Sequence, residues 1–303
     1  MKVFITGGAG FIGTHLCKKL LTQNHDITVY DNFSNSFKEN FISTIKNKVI
    51  IISGDILDHS KLVSSMKNHD VVIHLAAKIS VSESIKNPKS TFDINVQGTL
   101  NVLNSCLQND VTKIIATSTA AIYQSVSTKT IFDETSLVAP SSPYGTSKLE
   151  MEKKINDFAS TNKICATILR LFNVYGYGQS PEYAGVITRF KEKMNNNSPL
   201  TIYGDGSAVR DFVHVNDVTD AIILAIIHLK GSTYNIASGT STSISDLAKM
   251  MISLSHKEIQ ILYKSSRSGE ILYSAADITL AKTNLGFIPK ISLKSGLEQF
   301  LSE

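Results

Sequence analysis

The sequence predicts an α/β fold in which a doubly wound parallel sheet carries helices on both faces and a smaller C-terminal α/β lobe follows. Two observations predict this. In the first 171 residues, short segments rich in Val and Ile alternate with amphipathic segments of helical period. After Leu171 the alternation gives way to a loop containing Gly and Pro and to shorter, mixed elements. We therefore expect one large sheet and a lobe that covers one of its edges.

The first half should contain six strands, because each apolar segment resembles a strand buried on both faces. They are Lys2–Thr6, Asp26–Asp31, Val49–Asp55, Asp70–Ala77, Thr112–Thr119 and Ile164–Leu171. A helix over Ile12–Thr22 follows the first strand, with Ile12, Leu16 and Leu20 on one face. Right-handed crossovers bring the carboxyl ends of the strands to one edge, where such sheets bind ligands.

The second half is predicted to hold a loop, two helices and three strands. In order, they are a loop at Asn173–Pro181, a helix at Ala184–Met194, strands at Thr201–Tyr203 and Asp211–Val215, a helix capped by Asn216, and a strand at Thr233–Ala237. Asn is a favoured N-cap, and Asp217 and Asp220 complement the positive end of the helix dipole.

Composition excludes several classes of protein. Hydrophobic residues make up 42% and charged residues 18%, which is globular rather than disordered. No apolar run reaches the roughly 18 residues of a membrane span, and the N-terminus lacks a signal-peptide pattern, so we expect a cytoplasmic protein without membrane contact. Cys17, Cys106 and Cys165 form no CxxC pair, which predicts no metal site. The net charge of +4 comes from scattered lysines, which argues against nucleic-acid binding.

A glycine-rich segment, TGGAGFIG over Thr6–Gly13, joins the first strand to the first helix. Gly8, Gly10 and Gly13 fit GxGxxG, while Gly7, Gly10 and Gly13 fit GxxGxxG. Glycines allow a tight turn and close approach of a pyrophosphate, which the free N–H groups of the helix N-terminus attract. The context of strand, turn and helix predicts a Rossmann-like dinucleotide site.

Acidic residues at the next strand ends refine this site. Asp31, 18 residues after Gly13, is expected to accept hydrogen bonds from the adenosine ribose hydroxyls. No arginine follows it to hold a 2′-phosphate, so we predict NAD rather than NADP. Asp55 is placed to meet the adenine amino group, whereas His74 is expected to be a packed core residue.

Tyr144 and Lys148 form YxxxK just after Ser142 and Pro143, which are a good N-cap and a good first helical residue. Four residues apart on a helix, they share one face. A nearby ammonium stabilises a phenolate, and such a base suits removal of a sugar hydroxyl proton. One of the hydroxyls that end the fifth strand could bridge the substrate and Tyr144; the candidates are Thr117, Ser118 and Thr119.

These motifs together resemble the extended short-chain dehydrogenase/reductases of the sugar-nucleotide epimerase/dehydratase branch. The resemblance runs through TGGAGFIG, DNFSNS, GDILD, HLAA, NVQGT, TSTAAIY, SPYGTSK, LRLFNVYG, TIYGDGSAVRDFVHVNDV, YNIASG and RSGEILYSAAD to LGFIPKISLKSGL, and covers nearly the whole chain. It implies an NAD-binding Rossmann domain over residues 1–172, to which segments near 212–240 return. Residues 173–211 and 241–303 would form the substrate lobe.

The resemblance also implies roles for matching residues. Tyr144 would be the base, Lys148 its partner and Thr119 the catalytic hydroxyl. The implied NAD contacts are Gly7, Gly10, Phe11, Ile12, Gly13, Asp31, Asn32, Ser34, Asp55, Ile56, Leu75, Ala76, Ala77, Asn95, Thr117, Ser118, Tyr144 and Lys148. The implied substrate contacts are Thr119, Asn173, Val186, Thr201, Tyr203, Arg210, Arg267, Glu270 and Ser274. Arg210 and Arg267 would hold the diphosphate, for which planar guanidinium groups are suited; a local ion pair with Asp211 is the alternative for Arg210.

Within this branch, dehydratases and decarboxylases carry acidic residues after the catalytic hydroxyl, and this chain has Ala120 and Ala121 there. We therefore predict NAD-dependent C4 epimerisation of a UDP-hexose through a 4-keto sugar. Ser274 would leave room for an N-acetyl group on the sugar. The alternatives are a nucleotide-sugar reductase and another epimerase of the branch; a non-catalytic NAD sensor is disfavoured because Tyr144 and Lys148 are both present. A homodimer through the helices near Asn95–Gln108 and Tyr144–Ser160 is expected.

Overall fold

The computed structural model describes residues 1–36, 38–45, 48–124, 126, 128–179, 185–228, 231–266 and 271–302. The strands are β1 Lys2–Thr6, β2 Asp26–Asp31, β3 Ile50–Ser53, β4 Val71–His74, β5 Lys113–Thr119, β6 Ile131–Phe132, β7 Cys165–Leu171, β8 Asn173–Tyr175, β9 Leu200–Tyr203, β10 Val209–His214, β11 Thr233–Ile236, β12 Ser241–Ser243, β13 Ile261–Lys264 and β14 Tyr273–Ala276. The helices are α1 Phe11–Thr22, α2 Lys38–Ile45, α3 His59–Ser65, α4 Val81–Lys86, α5 Pro88–Phe92, α6 Thr99–Gln108, α7 Pro143–Asn162, α8 Val186–Asn195, α9 Val215–Ile227, α10 Ile244–Ser255, α11 Thr279–Leu285 and α12 Leu293–Ser302.

The main sheet is parallel and has seven strands in the order β11-β7-β5-β4-β1-β2-β3. The strand order reverses between β1 and β4, which are neighbours in the sheet although β2 and β3 lie between them in the chain. The loops after these strands diverge there, and this is where such sheets bind ligands. The prediction of a doubly wound parallel sheet is therefore confirmed.

Alternation along β1 shows how the sheet builds two hydrophobic layers. Val3 and Ile5 face one core with Leu16 of α1 and Ile222 of α9. Phe4 faces the other core, which also contains residues of α3, α6 and α7. Because the sheet is covered on both faces, both alternating sets of side chains in its central strands are mostly apolar, which explains the Val- and Ile-rich segments of the sequence.

A second, smaller region is formed mostly by the chain beyond Leu171, with β6 added from the first half. The strands β12, β10, β14 and β6 form a sheet to which β8 adds by pairing with β10, and β13 pairs with β9. A separate hydrophobic core holds this region together through Phe190, Leu200, Phe212, Leu247 and Phe300. The chain returns to the main sheet with β11, which pairs with β7.

Two local predictions were wrong. Part of the expected loop at Asn173–Pro181 forms the strand β8, because Asn173–Tyr175 pairs in parallel with Phe212–His214 of β10. The N-cap of α9 is His214 rather than Asn216, since its ring Nδ1 accepts the N–H of Asn216 at 3.2 Å. The helix begins two residues earlier than predicted, so Asn216 lies in its first turn and the His214 ring takes the capping position.

Within the described ranges, no helix is long and apolar enough to cross a membrane. No group of three or more metal-binding side chains occurs in the same residues. Cys17 and Cys106 are buried free thiols, and burial raises the pKa of each to about 12.

Candidate active site

The glycine-rich turn after β1 requires glycine for two separate reasons. Gly7 has a φ of +70°, and a Cβ on it would lie 2.5 Å from the backbone nitrogen of Ala76. A Cβ on Gly13, in the first turn of α1, would lie 2.5 Å from the carbonyl oxygen of Gly8. The N-cap Gly10 offers no side-chain acceptor to α1, whose first N–H groups therefore point at the end of the turn. This arrangement suits a phosphate group.

Asp31 ends β2 beside this turn and is 9% exposed. One carboxylate oxygen accepts the N–H of Ala9 at 2.9 Å, and the other accepts the N–H of Phe33 at 2.8 Å. Burial raises the pKa of this carboxyl, and these two N–H groups act in the opposite direction. Each oxygen keeps a lone pair that a ribose hydroxyl can use.

Polar groups beyond Asp31 gather at the same edge. Asn32 donates to the Asp55 carboxylate at 3.0 Å and accepts the N–H of Ser34 at 3.1 Å. Ile56 is buried in the core below α6, where it contacts Gly98. Across the reversal in strand order, Ala76 lies directly against Gly7. The residues predicted for the adenosine half of NAD thus lie along neighbouring strand ends.

Tyr144 and Lys148 lie in the first two turns of α7. Ser142 caps this helix by accepting the N–H of Gly145 at 3.1 Å, and Ser84 of α4 accepts the N–H of Tyr144 at 3.1 Å. Lys148 is 3% exposed, and its ammonium donates to Met151 Sδ at 3.2 Å. Burial lowers the pKa of Lys148 to about 8, against the opposing influence of the Glu152 carboxylate.

Thr119 supplies the hydroxyl that meets Tyr144. Burial raises the pKa of the Tyr144 phenol, and its side-chain hydrogen bond with Thr119 lowers it in part. The Thr119 hydroxyl also accepts the N–H of Ala121 at 3.2 Å. Ser118 is buried, and its Oγ has no hydrogen-bond partner among the described residues. Of the three hydroxyls that the sequence left as candidates, the geometry selects Thr119.

Asn95 connects the loop after β4 to α7. It lies in a π-helical turn, Asp93–Gly98, a type of distortion that often marks functional sites. Its amide accepts the N–H of Lys78 at 2.8 Å and donates to the Lys78 carbonyl and to Ser147 Oγ, both at 2.9 Å. Ser147 in turn donates to the carbonyl of Tyr144 at 2.7 Å. Asn95 was predicted to contact NAD. Its side chain here bonds to the loop after β4 and to α7, the two protein segments that flank the site.

A cavity of about 130 Å³ opens beside Thr119. It brings together four of the predicted substrate residues, which are Thr119, Asn173, Arg210 and Ser274. The cavity is also lined by residues that the sequence reading missed, namely Tyr123, Gln124, Phe172, Ile271 and Tyr273. Tyr123 ends the motif TSTAAIY and Gln124 follows it, but only the fold shows that they face the same space as β14.

The remaining predicted substrate residues lie elsewhere. Thr201 and Tyr203 are alternate, half-buried residues of β9, and the half-buried Val186 begins α8. None of these three lines the cavity described above. Arg267 and Glu270 lie outside the described residues. The Asp211 carboxylate is held by the N–H and hydroxyl of Ser238, both at 2.7 Å, rather than by Arg210.

Comparison with known proteins gives a consistent result. Residues 3–237 match the NAD dependent epimerase/dehydratase family. A putative UDP-glucose 4-epimerase of Methanocaldococcus jannaschii is 37% identical over 305 residues, which cover 99% of this chain and 97% of the relative. The structure of UDP-glucose 4-epimerase from Thermotoga maritima with UDP-glucose has a TM-score of 0.94 at 34% identity, covering 100% of this chain and 98% of that one. UDP-N-acetylglucosamine 4-epimerase from Methanobrevibacter ruminantium M1 has a TM-score of 0.93 at 30% identity, covering 99% and 97%.

The chain belongs to the NAD-dependent epimerase/dehydratase family, and it is a sugar-nucleotide epimerase that uses NAD. The predictions of family, enzyme class and cofactor are confirmed. The residues fit NAD on structural grounds as well. The turn at Gly7 and Gly13 leaves no room for side chains, the buried Ser118 Oγ lacks a partner in the described chain, and the Lys148 ammonium has a thioether, a weak acceptor, as its partner.

Proposed function

We propose that this epimerase inverts C4 of a UDP-hexose, interconverting UDP-glucose and UDP-galactose and also accepting the N-acetylated pair. The observation that carries the proposal is the hydrogen-bonded pair of Tyr144 and Thr119 beside the buried Lys148, with Thr119 facing a cavity whose next two lining residues are Ala120 and Ala121. Alanine provides no acid or base for eliminating water or carbon dioxide. A redox step at C4 without elimination is the chemistry that these side chains support.

Tyr144 is proposed to take the proton of the sugar 4-hydroxyl, which Thr119 orients through its hydrogen bond to the same phenol. The positive charge of Lys148, four residues along α7, favours the phenolate form of Tyr144. Bound NAD would supply the acceptor for the C4 hydride and the donor for its return to the opposite face. Tyr144 then gives the proton back to the 4-oxygen, so each turnover leaves the protein unchanged.

Inversion requires that the 4-keto sugar turn within the site while the nucleotide stays bound. Arg210 lines the cavity and is proposed to hold the diphosphate there. Apolar walls suit the turning sugar because they offer no fixed hydrogen bonds to one orientation; they include Leu171, Phe172 and Ile271. The uridine contacts of Thr201, Tyr203, Val186, Arg267 and Glu270 remain proposals that rest on the family resemblance.

Ser274 is proposed to admit an N-acetyl group at C2. It pairs with Arg210 across the parallel strands β14 and β10, and both line the cavity. Because C2 is bonded to C1, which carries the diphosphate, a residue beside the diphosphate-binding arginine is well placed to meet a C2 substituent. A small hydroxymethyl side chain at this position leaves space for that substituent.

A nucleotide-sugar reductase and another epimerase of the family are the alternatives, since the relatives named above differ in the sugar they act on. A reductase would consume reduced cofactor stoichiometrically. A homodimer remains a prediction from the resemblance; on α6, Leu107 is 47% exposed, which is consistent with a helix face that pairs with a second copy.

The test is to incubate the purified protein with UDP-galactose, without added NAD, and to measure UDP-glucose. Product without added cofactor supports epimerisation with retained NAD. Absence of product from both UDP-galactose and UDP-N-acetylgalactosamine, even with NAD supplied, would refute the proposal.

The same assay tests the specificity proposal. Ser274→Tyr should lose activity on UDP-N-acetylgalactosamine while keeping activity on UDP-galactose, because the ring fills the space beside C2. Ser274→Ala, which stays small, is the matched control and should retain both activities. Equal loss of both activities in Ser274→Tyr would contradict a role in selecting the C2 substituent.

A further inference from the structure

A buried ion pair lies one helical turn beyond the active-site lysine. Glu152 follows Lys148 by four residues on α7, so the two side chains share a face, and each is 3% exposed. The Glu152 carboxylate accepts two bonds from Arg170 Nε, at 3.1 and 3.2 Å, and one from Arg170 Nη2 at 2.8 Å. This forked geometry fixes the carboxylate in place.

Arg170 is itself held on its other side. From β7, its Nη1 donates to the Tyr123 hydroxyl and to the Glu134 carbonyl, both at 3.0 Å. Tyr123 lines the cavity beside Thr119, and its hydroxyl donates to Asn235 at 2.6 Å. Its ring stacks on that of Phe132, with ring centroids 4.9 Å apart. The ion pair of Glu152 and Arg170 is thus fixed between the wall of the cavity and the core. These contacts keep the Glu152 carboxylate beside α7.

The charge of Lys148 depends on its surroundings because its own acceptor, Met151 Sδ, is weak. His74 on β4 faces the ammonium but is neutral, since burial lowers its pKa to about 3. On the described parts of the neighbouring α4, α5 and π-helical turn, charged residues pair with each other at the surface, as Lys86 with Glu83 and Lys89 with Asp93. Tyr144 and Glu152 on α7, and Arg170 on β7, are the further titratable groups described on the elements that pack here.

We propose that Glu152 is a positioning residue whose negative charge keeps the Lys148 ammonium charged. Arg170 fixes the Glu152 carboxylate in place and, as a competing cation, weakens the effect of that carboxylate on Lys148. The proposal rests on the proposed role of Lys148 in supporting the Tyr144 phenolate. Burial has already lowered the pKa of Lys148 to about 8, and the Glu152 carboxylate opposes that effect. Removing the negative charge would leave a lysine that is partly neutral at physiological pH and unable to stabilise a phenolate.

The two partners of the pair should act in opposite directions. Glu152→Gln keeps the shape and one acceptor oxygen but removes the negative charge, so Lys148 should lose its proton at lower pH, by on the order of one pH unit. Arg170→Met removes the competing cation, so Lys148 should lose its proton at higher pH. A purely structural pair predicts a different result, in which both variants lose stability and neither changes the ionisation of Lys148.

Two measurements decide between these outcomes. The first is the alkaline limb of kcat against pH with the preferred UDP-sugar, which should move down for Glu152→Gln and up for Arg170→Met. The second is the ¹³C-lysine NMR titration of the NAD-loaded enzyme without sugar, with the Lys148 signal assigned by its loss in Lys148→Arg. Asp220→Asn is the matched control, because Asp220 pairs with Lys19 away from the site, and it should change neither measurement.

The NMR titration needs no turnover, so it tests this proposal even if the proposed reaction is wrong. A Lys148 titration that is unmoved in Glu152→Gln, or that moves in the same direction in both variants, overturns the role given to Glu152. If only one variant folds, the sign of its shift still decides.

Discussion

The hydroxyl of Tyr144 is subject to opposing influences. Burial raises the pKa of the phenol, whereas the hydrogen bond with Thr119 lowers it. We expect Tyr144→Phe to lower kcat by about 10²–10⁴-fold, the usual contribution of a positioned acid or base. The ring remains, so the affinity for the UDP-sugar should stay within a few-fold.

Steady-state kinetics and calorimetric titration with UDP measure these two effects separately. Tyr177→Phe is the matched control, because Tyr177 is 58% exposed and the bond that it makes to His15, at 2.9 Å, uses its carbonyl rather than its hydroxyl. Near-normal kcat in Tyr144→Phe would show that another group removes the proton.

The site residues that could be assigned from the sequence are those whose positions follow from a short motif or from the element that they end. Tyr144 and Lys148 share a helix face at four residues apart, and Asp31 ends the strand after the glycine turn. The support for these residues was not predictable, because it comes from distant parts of the chain. Ser84 meets the N–H of Tyr144 across 60 positions, and nothing in the surrounding serines distinguishes it.

At the level of helices and strands, a buried chain of hydrogen bonds joins the end of β1, where the glycine-rich turn begins, to α7. Thr99 Oγ1 donates to the Asn95 carbonyl at 2.7 Å, so it accepts from His74 Nε2–H at 2.9 Å. The other ring nitrogen of His74 then accepts from Thr6, at the end of β1, at 2.7 Å. Through Asn95 and Ser147 the chain reaches α7. The histidine that sequence assigned to the core therefore connects β1 to the π-helical turn.

Thr99→Val should interrupt this chain with little change in shape. The buried N–H of His74 loses its acceptor, and an unsatisfied buried donor costs about 1–3 kcal/mol. We expect the free energy of unfolding, measured by urea titration, to fall by that amount.

Thr283→Val on α11 is the matched control for Thr99→Val. Thr283 makes the same bond to the carbonyl four residues before it, at 2.9 Å, but it is exposed, and within the described residues its hydroxyl bonds only to backbone carbonyls of α11. An equal loss of stability in both variants would mean that the helix bond, and not the acceptor for His74, accounts for the effect.

The helices and strands were predicted correctly where the pattern of hydrophobic residues was enough to identify them. β1 and β2 have the predicted bounds, and β3 and β4 are shorter than predicted because their pairing with neighbouring strands ends at Ser53 and at His74. The prediction failed for β8, whose three residues are extended only because β10 pairs with them 39 positions later in the chain. Such a strand has no period of its own that a sequence can show.

In the molecule as a whole, hydrogen bonds to side chains connect the elements of the main sheet with those of the smaller region. Asp217 of α9 accepts the N–H groups of Lys290 and Ile291 in the C-terminal segment, at 3.0 and 3.1 Å. Asp211 of β10 accepts from Ser238, which follows β11 of the main sheet. These contacts span 27 to 74 positions, so the sequence indicated that segments return to the main sheet but not which residues would hold them.

Asp211 should make the stability of the whole chain depend on pH. Its side chain is fully buried, one oxygen has no hydrogen-bond partner among the described residues, and burial raises its pKa from 3.8 to about 6. Because the folded state holds this proton more tightly than the unfolded state does, folding takes up a proton between about pH 4 and 6. Stability from this group is therefore present below pH 4 and is lost as pH rises to about 6.

The size of this effect follows from the shift, since about two pKa units correspond to about 3 kcal/mol. Asp211→Asn cannot titrate and keeps an oxygen for Ser238, so it provides the reference. Urea titrations of both proteins should give a wild-type stability, relative to Asp211→Asn, that falls by about 3 kcal/mol between about pH 4 and pH 7. The other carboxylates titrate in both proteins and cancel in this difference. A difference that stays constant with pH would mean that Asp211 is ionised in the folded chain at pH 4, and that the hydrogen bonds to its carboxylate outweigh its burial.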